Sequence, residues 1–327
     1  MRLRFIPTAS VVLVTLLALT LGVSTALAQT WPTKPVKIVV PFPPGGSNDT
    51  IARILGAQMT QNTGQQFIVE NRPGASGSLG TGVVAKGAAD GYTFVLVFDT
   101  HGVNPTLIPS MPFDTLKDLA PVMLLGTSPM ALVTRPDSPY KSFAQLLAAA
   151  KANSGSVAFG SIGSGSLGHL AFAQIGNLAG TEFNHIPYKG GGPLLTDALG
   201  GQVPTAIGTV FLVNPHVETK KLVPLVVTSK NRAPSMPNVP TLAESGFPGF
   251  EALSWWGVFA PAATPPAIVV RMNEELAKAM ATPAIREKLA GQGMEIIASS
   301  PDRLQTFLKS EIDRWARVIQ QNKIKPD

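Results

Sequence analysis

Two turns in this sequence combine backbone donors with small hydroxyl and amide side chains, a chemistry suited to holding an anion without a charged partner. The first is Pro41-Phe42-Pro43-Pro44-Gly45-Gly46-Ser47-Asn48, between an apolar run and an amphipathic one. Its prolines fix φ and donate no hydrogen bond. Its glycines let backbone approach a ligand closely. The helix expected next exposes unpaired N–H groups and a positive dipole end. With the Ser47 and Asn48 side chains, these features make an anion site; the same residues also suit a tight strand–helix turn with no ligand. The second turn, Ser161-Ile162-Gly163-Ser164-Gly165-Ser166-Leu167-Gly168-His169, repeats the device, with the Ser164 and Ser166 hydroxyls available.

Residues Gly163 to Gly168 also fit the G-x-G-x-x-G pattern of dinucleotide sites, with Glu182 near the distance of the ribose-binding acid. The pattern falls mid-chain, after a complete α/β unit, and the chain reads as exported, where nicotinamide cofactors are scarce. A second anion-donor turn is the favoured reading, and no cofactor is expected. Further polar groups stand at strand ends: Asp99-Thr100-His101, Thr209, and Tyr188-Lys189 before three glycines. Each could face a ligand or lie in plain loop. Trp255 and Trp256 alternate faces of one strand, so one is core and the other could wall a cleft.

Enzyme chemistry is poorly represented. His101, His169, His185 and His216 show no metal-ligand spacing, there is no H-E-x-x-H, and no serine sits in a G-x-S-x-G elbow. Asp49 and Arg53, at i and i+4, read as a helix ion pair. Asp90, Asp114 and Asp118 read as turn or cap residues. No nucleophile has a positioned base, so neither catalysis nor a metal site is expected.

The elements that must hold these turns are α/β. Val36 to Phe42 reads as a buried strand. Asp49 to Thr63 reads as a helix, with Ile51, Ile54, Leu55 and Met59 on one stripe. A second strand follows at "QFIVEN", then the Gly-rich "RPGASGSLG", a small-residue helix near Gly80 to Ala88, and a third strand at "YTFVLVF". Strand, helix, strand, helix, strand implies a parallel sheet. A second unit begins at the strand "MALVTR" and continues through helices and strands to "LVPLVVTS". After Ser229 the chain turns Pro- and Gly-rich, which reads as loop. It then returns as the strand "LSWWGVFAP" and three helices, near 267–281, 283–291 and 301–323. The last of these carries Leu304, Phe307, Leu308, Ile312, Trp315 and Ile319 on one face. Two α/β units without a clear linker suggest two lobes crossed more than once, with a cleft between strand ends.

Composition narrows the partners. The 327 residues carry a net charge of +6, but only 14% are charged, and the basic residues form no aromatic–basic stripe. Nucleic acid is therefore not an expected partner. There is no cysteine, which removes disulfides, thiolate metal sites and a lipid-attachment cysteine. Met1-Arg2-Leu3-Arg4, the apolar stretch from Val11 to Val23 and Ala26-Leu27-Ala28 read as a signal peptide over residues 1–28, with Gln29 the mature start. No later stretch approaches the roughly 18 apolar residues of a membrane span. A soluble periplasmic protein is expected.

The ordered set "PTKPVKIVVPFPPGGSNDTIAR", "VENRPGASGSLG", "ADGYTFVL", "NPTL", "FGSIGSGSLGHLA", "HIPYKGGGPLLTDALGGQV", "LVVTSKNRAPSMPNVPTLAESGFPGFE" and "WWGVFAPAATP" resembles the periplasmic substrate-binding proteins of tripartite tricarboxylate transporters, the Bug family. The likeness covers Thr30 to about Ile324. It implies a two-lobed Venus-flytrap fold, type II-like, each lobe a mainly parallel sheet flanked by helices. Residues 29–125 with 229–327 would build one lobe and 126–228 the other. It implies a monomer that captures a small carboxylate and delivers it to transporter membrane components. The carried-over donors are Gly45, Gly46, Ser47 and Asn48, and Ser164, Gly165 and Ser166, with Thr100, His101, Asn104 and Thr209 beside them. Phe42 and Trp256 would wall a ring-sized ligand. His101, if protonated, could grip a distal carboxylate; Asp99 would repel a carboxylate and attract an amine; or both point away. A ligand-presenting sensor and an exported oxidoreductase or hydrolase are the alternative functions.

Overall fold

The computed structural model describes residues 31–322 and 324. The chain divides after Thr33 into an N-terminal unit and a compact body beginning at Lys34. The signal segment expected over residues 1–28, and its cleavage at Gln29, lie outside the described residues.

Strands β1 (Val36–Val40), β2 (Phe67–Asn71) and β3 (Thr93–Phe98) alternate with helices α1 (Ser47–Thr63) and α2 (Ser78–Ala85). β1 pairs in parallel with β2 on one side and β3 on the other. Helix α1 packs through Ile51, Leu55 and Met59, all buried. It ends where Gly64, at φ 73°, returns its N–H to the Thr60 carbonyl, a conformation that favours glycine.

Helix α3 (Thr100–Leu107) follows, and then β4 (Leu119–Thr134), a strand of 16 residues that ties the body together. From Leu119 to Pro129, β4 pairs antiparallel with β9 (Leu253–Pro261). From Met130 to Thr134 it pairs antiparallel with β7 (Thr205–Thr209) and, over Ala131–Thr134, with β8 (Val223–Val227). The segment "MALVTR" is thus the last part of a longer strand. Beyond it, α4 (Phe143–Ala152), β5 (Ala158–Ser161), α5 (Leu167–Ala179), β6 (Asn184–Pro187) and α6 (Gly191–Gly200) precede β7, and β5 lies parallel to β6 and β7. The strand path is β2-β1-β3-β9-β4-β7-β5-β6. Parallel pairs occupy both ends and antiparallel strands join them.

Helix α7 (Val210–Glu218) separates β7 from β8, and α8 (Pro266–Ala281), α9 (Pro283–Gly291), β10 (Glu295–Ile296) and α10 (Pro301–Gln321) close the chain. Leu304 and Leu308 of α10 enter one core with Trp255 and Phe259. Trp315 and Ile319, further along the same face, enter a second core with Phe172, Leu170 and Phe247. One helix therefore braces both cores. Among the described residues, no helix is long and apolar enough to cross a membrane.

Candidate functional site

The first turn leaves β1 and feeds α1. Gly45 sits at φ 82°, in the left-handed region, and Gly46 caps α1 without a side-chain hydrogen bond. The turn is held from within by Asp49. Its Oδ2 accepts the Gly45 N–H at 3.1 Å, and its Oδ1 accepts Arg53 Nε and Asn71 Nδ2, each at 3.0 Å. Asn71 Nδ2 also donates to the Phe42 carbonyl at 3.0 Å. Burial alone would raise the Asp49 carboxyl, but the hydrogen bonds from Arg53, Gly45 and Asn71 hold it below the ordinary carboxylate range. The pair Asp49–Arg53 is the helix pair the spacing predicts, and it is also the anchor of the turn.

This anchoring sorts the expected donors. The Gly45 N–H is already engaged by Asp49. The Ser47 and Asn48 N–H groups stand in the first turn of α1, where a helix offers no acceptor of its own. Gly46, Ser47 and Asn48 line a narrow pocket with Phe42, Phe98, Ile162, Gly191, Thr209 and Leu212. Asn48 is oriented by its own bond from Nδ2 to the Leu96 carbonyl at 3.4 Å. Thr209, at the end of β7, caps α7 by accepting the Leu212 N–H at 3.2 Å. The pocket thus draws on both ends of the sheet, and the turn at Gly46 touches the start of α6 at Gly191.

An adjoining cavity of about 640 Å³ is lined by Pro41, Phe42, Pro43, the Pro73–Gly77 turn, Ile162, Gly163, Ser164, Pro187, Tyr188 and Lys189. Among the described residues, Lys189 is its one charged lining side chain and no carboxylate lines it. Tyr188 donates its hydroxyl to Asp197 at 2.9 Å; burial and that carboxylate push it up to about 12. Ser76 Oγ donates to the Ser164 carbonyl at 3.0 Å, a direct link across the opening.

Several expected site residues are placed elsewhere. Gly165 and Ser166 line neither cavity: the Gly165 N–H goes to His169 Nδ1 at 3.1 Å, and the Ser166 hydroxyl goes to Ser161 Oγ at 3.2 Å. Of the second turn, Ile162, Gly163 and Ser164 reach the opening. His101 is buried away from both cavities. Its ring lies between Phe113 and Phe259, its Nε2 has no partner, and burial pushes it down to about 3, so it is neutral. Asp99 is 1% exposed and points into the body. Burial, and then Glu311, push its carboxyl up to about 7. Ser254 and the Leu167 and Thr100 N–H groups lie near it, but none at a geometry that makes a hydrogen bond. Thr100 and Asn104 stand behind Phe42 and Ser76, and Asn104 Nδ2 supports the Ser76 carbonyl at 3.0 Å. Trp256 is fully buried between Phe98 and Phe211 and lines no cavity described above. It backs Phe98, which is the wall itself.

The Pro73–Gly77 turn was not among the expected site residues. Its signal in the sequence is the run of Gly and Ser in "RPGASGSLG". In the fold, Ala75 and Ser76 both sit at positive φ, 43° and 51°, a costly conformation for residues other than glycine and one that gathers at functional turns.

Residues 51–324 match the family model described as tripartite tricarboxylate transporter family receptor. The chain belongs to that family. Protein BugT of Bordetella pertussis is 40% identical to this receptor over 296 residues, covering 90% of this chain and 91% of BugT. The solved periplasmic binding protein BugD is 30% identical, with a TM-score of 0.86 over 91% of this chain and 100% of its own. The R. palustris protein Rpa4515, solved with adipate, is 34% identical, with a TM-score of 0.87 over 91% of this chain and 100% of its own. The receptor therefore has the two-lobed α/β fold of a periplasmic binding protein, and its role is solute binding rather than catalysis.

Proposed function

We propose that this receptor captures a small carboxylate between its lobes in the periplasm and delivers it to the membrane components of a tripartite tricarboxylate transporter. The observation that carries the reading is the uncharged donor set at Ser47 and Asn48. It opens the α1 N-terminus toward Thr209 from the opposite end of the sheet and is walled by Phe42. The chemistry of these donors suits one carboxylate end, which the pocket, of about 10 Å³ as it stands, admits once the turn at Gly46 and the start of α6 move apart. A charge-assisted hydrogen bond contributes roughly 1.5–3 kcal/mol, so three or four reach the approximately −8 kcal/mol of micromolar binding.

The lobes we assign are residues 29–125 with 229–327, and residues 126–228; the change of β4 partners at Met130 supports a boundary in that region. Donors split between lobes bind more tightly when the lobes are closed, and that difference in affinity favours the closed state. The larger cavity is walled by prolines and Phe42, with Lys189 at its rim and no carboxylate to receive an ammonium group. These linings favour dicarboxylates with an apolar middle, or aromatic carboxylates, over amino acids.

The test is calorimetry of the mature receptor with adipate, malate, benzoate and glutamate. Binding of adipate or benzoate, abolished by lengthening the turn between Gly46 and Ser47, supports the clamp. Tight binding of glutamate alone, or of none of the acids, overturns the ligand class.

A further inference from the structure

Behind the second turn lies a pair of histidines that the binding reading leaves without a task. His169, in the first turn of α5, and His185, on β6, stack face to face with ring centroids 4.0 Å apart and 6° between planes. His169 Nδ1 accepts the Gly165 N–H at 3.1 Å. His185 Nε2 meets Ser161 Oγ at 2.6 Å. Ser161 Oγ also receives the Ser166 hydroxyl at 3.2 Å and the Gly163 N–H at 3.2 Å. A hydroxyl has two acceptor lone pairs and one proton. Its two acceptor positions are filled by Ser166 and Gly163, and its proton has two acceptors in reach, the Gly163 carbonyl at 3.1 Å and His185 Nε2 at 2.6 Å; the much shorter contact assigns it to His185 Nε2. Both imidazoles therefore present a bare nitrogen to the turn and carry their proton on the far side.

The consequence is specific to one atom on each ring. Gly163, Gly165 and Ser166 are pinned from behind, while Ser164, between them, is left facing the 640 Å³ cavity with its carbonyl tied to Ser76. Two charged rings at this stacking distance would repel. Burial, followed by the neighbouring His169, pushes His185 down to about 3, in keeping with a neutral pair.

We propose that His169 and His185 are positioning residues: a stacked pair of neutral imidazoles, each acting as a hydrogen-bond acceptor, that holds the Gly163–Ser166 turn in the shape that presents Ser164 to the ligand. This inference rests on the cleft being the carboxylate site. The acceptor, rather than the ring, is the functional part. An Asn Oδ1 falls near the position of His Nδ1, and a Gln Oε1 near that of His Nε2, so the two sites should be rescued by different amides.

The experiment measures adipate affinity by calorimetry for His169→Asn, His185→Gln, His169→Phe and His185→Phe, with thermal midpoints taken alongside. The amide variants should bind within about threefold of wild type, and the Phe variants, which keep ring and volume, should lose at least about tenfold. Phe variants that bind like wild type, or all four losing equally, would overturn the proposal. A second measurement needs neither ligand nor variant: the imidazole ¹⁵N spectrum of the wild-type receptor at pH 7 should show His169 protonated on Nε2 and His185 on Nδ1. The opposite tautomer or a charged ring at either site refutes the arrangement. If wild type binds no adipate, the carboxylate reading fails while the tautomer measurement still decides whether the pair holds the turn as described.

Discussion

Replacing Asp49 by Ala removes the anchor of the first turn while leaving every cavity-lining residue in place. The carboxylate makes three bonds. The Gly45 N–H and Asn71 amide bonds are part-buried, and the Arg53 side chain is 53% exposed. A hydrogen bond to a charged group contributes roughly 1.5–3 kcal/mol, and a half-exposed ion pair adds less than about 1 kcal/mol. Asn71 keeps its bond to the Phe42 carbonyl, which offsets part of the loss. The expected destabilisation is about 2–4 kcal/mol, or a fall in the thermal midpoint of about 3–7 °C for a body of this size. The folded carboxyl lies below its unfolded value, so its contribution is present above that value and is lost as pH falls through the lower folded one. Guanidinium unfolding of wild type and Asp49→Ala should therefore show a gap that is constant above about pH 5 and narrows below about pH 4. An Asp49→Ala variant within about 0.5 kcal/mol of wild type at pH 7 would refute the anchoring argument, as would a gap that widens in acid.

Two other perturbations test separate parts of the structure. At Gly46, φ is −82° and a Cβ would sit 3.5 Å from the Gly191 nitrogen, an ordinary contact. Gly46→Ala should bind adipate nearly as wild type does. The added γ-carbons of Gly46→Val should hold the turn away from Gly191 and weaken binding by about tenfold or more with little change in midpoint; unchanged affinity would show that the contact is not part of closure. At Asp99, the folded carboxyl is raised to about 7, well above its unfolded value, so wild type loses stability as pH rises from about 4 to about 7. Asp99→Asn should reduce that slope, Glu311 keeping a part of it, and be more stable than wild type at pH 8; a slope unchanged between pH 5 and pH 8 would contradict it.

The α/β units were legible because their strands are apolar runs and their helices carry apolar stripes. The last three helices match the expected ranges closely for the same reason, and proline stands at the start of each. Helices α3 and α7 were not expected. Each contains an Asn-Pro dipeptide, Asn104-Pro105 and Asn214-Pro215, which argues for loop at the local level; tertiary packing overrides that preference. The form of the first turn, a glycine turn feeding the start of a helix, was legible because it depends on local sequence. That the Gly45 N–H belongs to Asp49, and that Gly165 and Ser166 face His169 and Ser161, depends on residues brought in from other elements or on side-chain rotamers. His101 looked available because it follows a strand. Its neighbours Phe113 and Phe259 come from distant parts of the chain, so its burial had no signature beside it in sequence.

The position of β9 bears on the order in which this protein can be built. β3 ends at Phe98 and β4 begins at Leu119, yet the two are not neighbours: β9, residues 253–261, is inserted between them. Until that late segment emerges, the facing edges of β3 and β4 have no partner, and the first half of the body remains an open template with exposed apolar strands. Contacts that span so much chain close slowly. A nascent chain of this receptor therefore stays unfinished through most of its synthesis and is exposed to aggregation unless a holding factor covers those two edges.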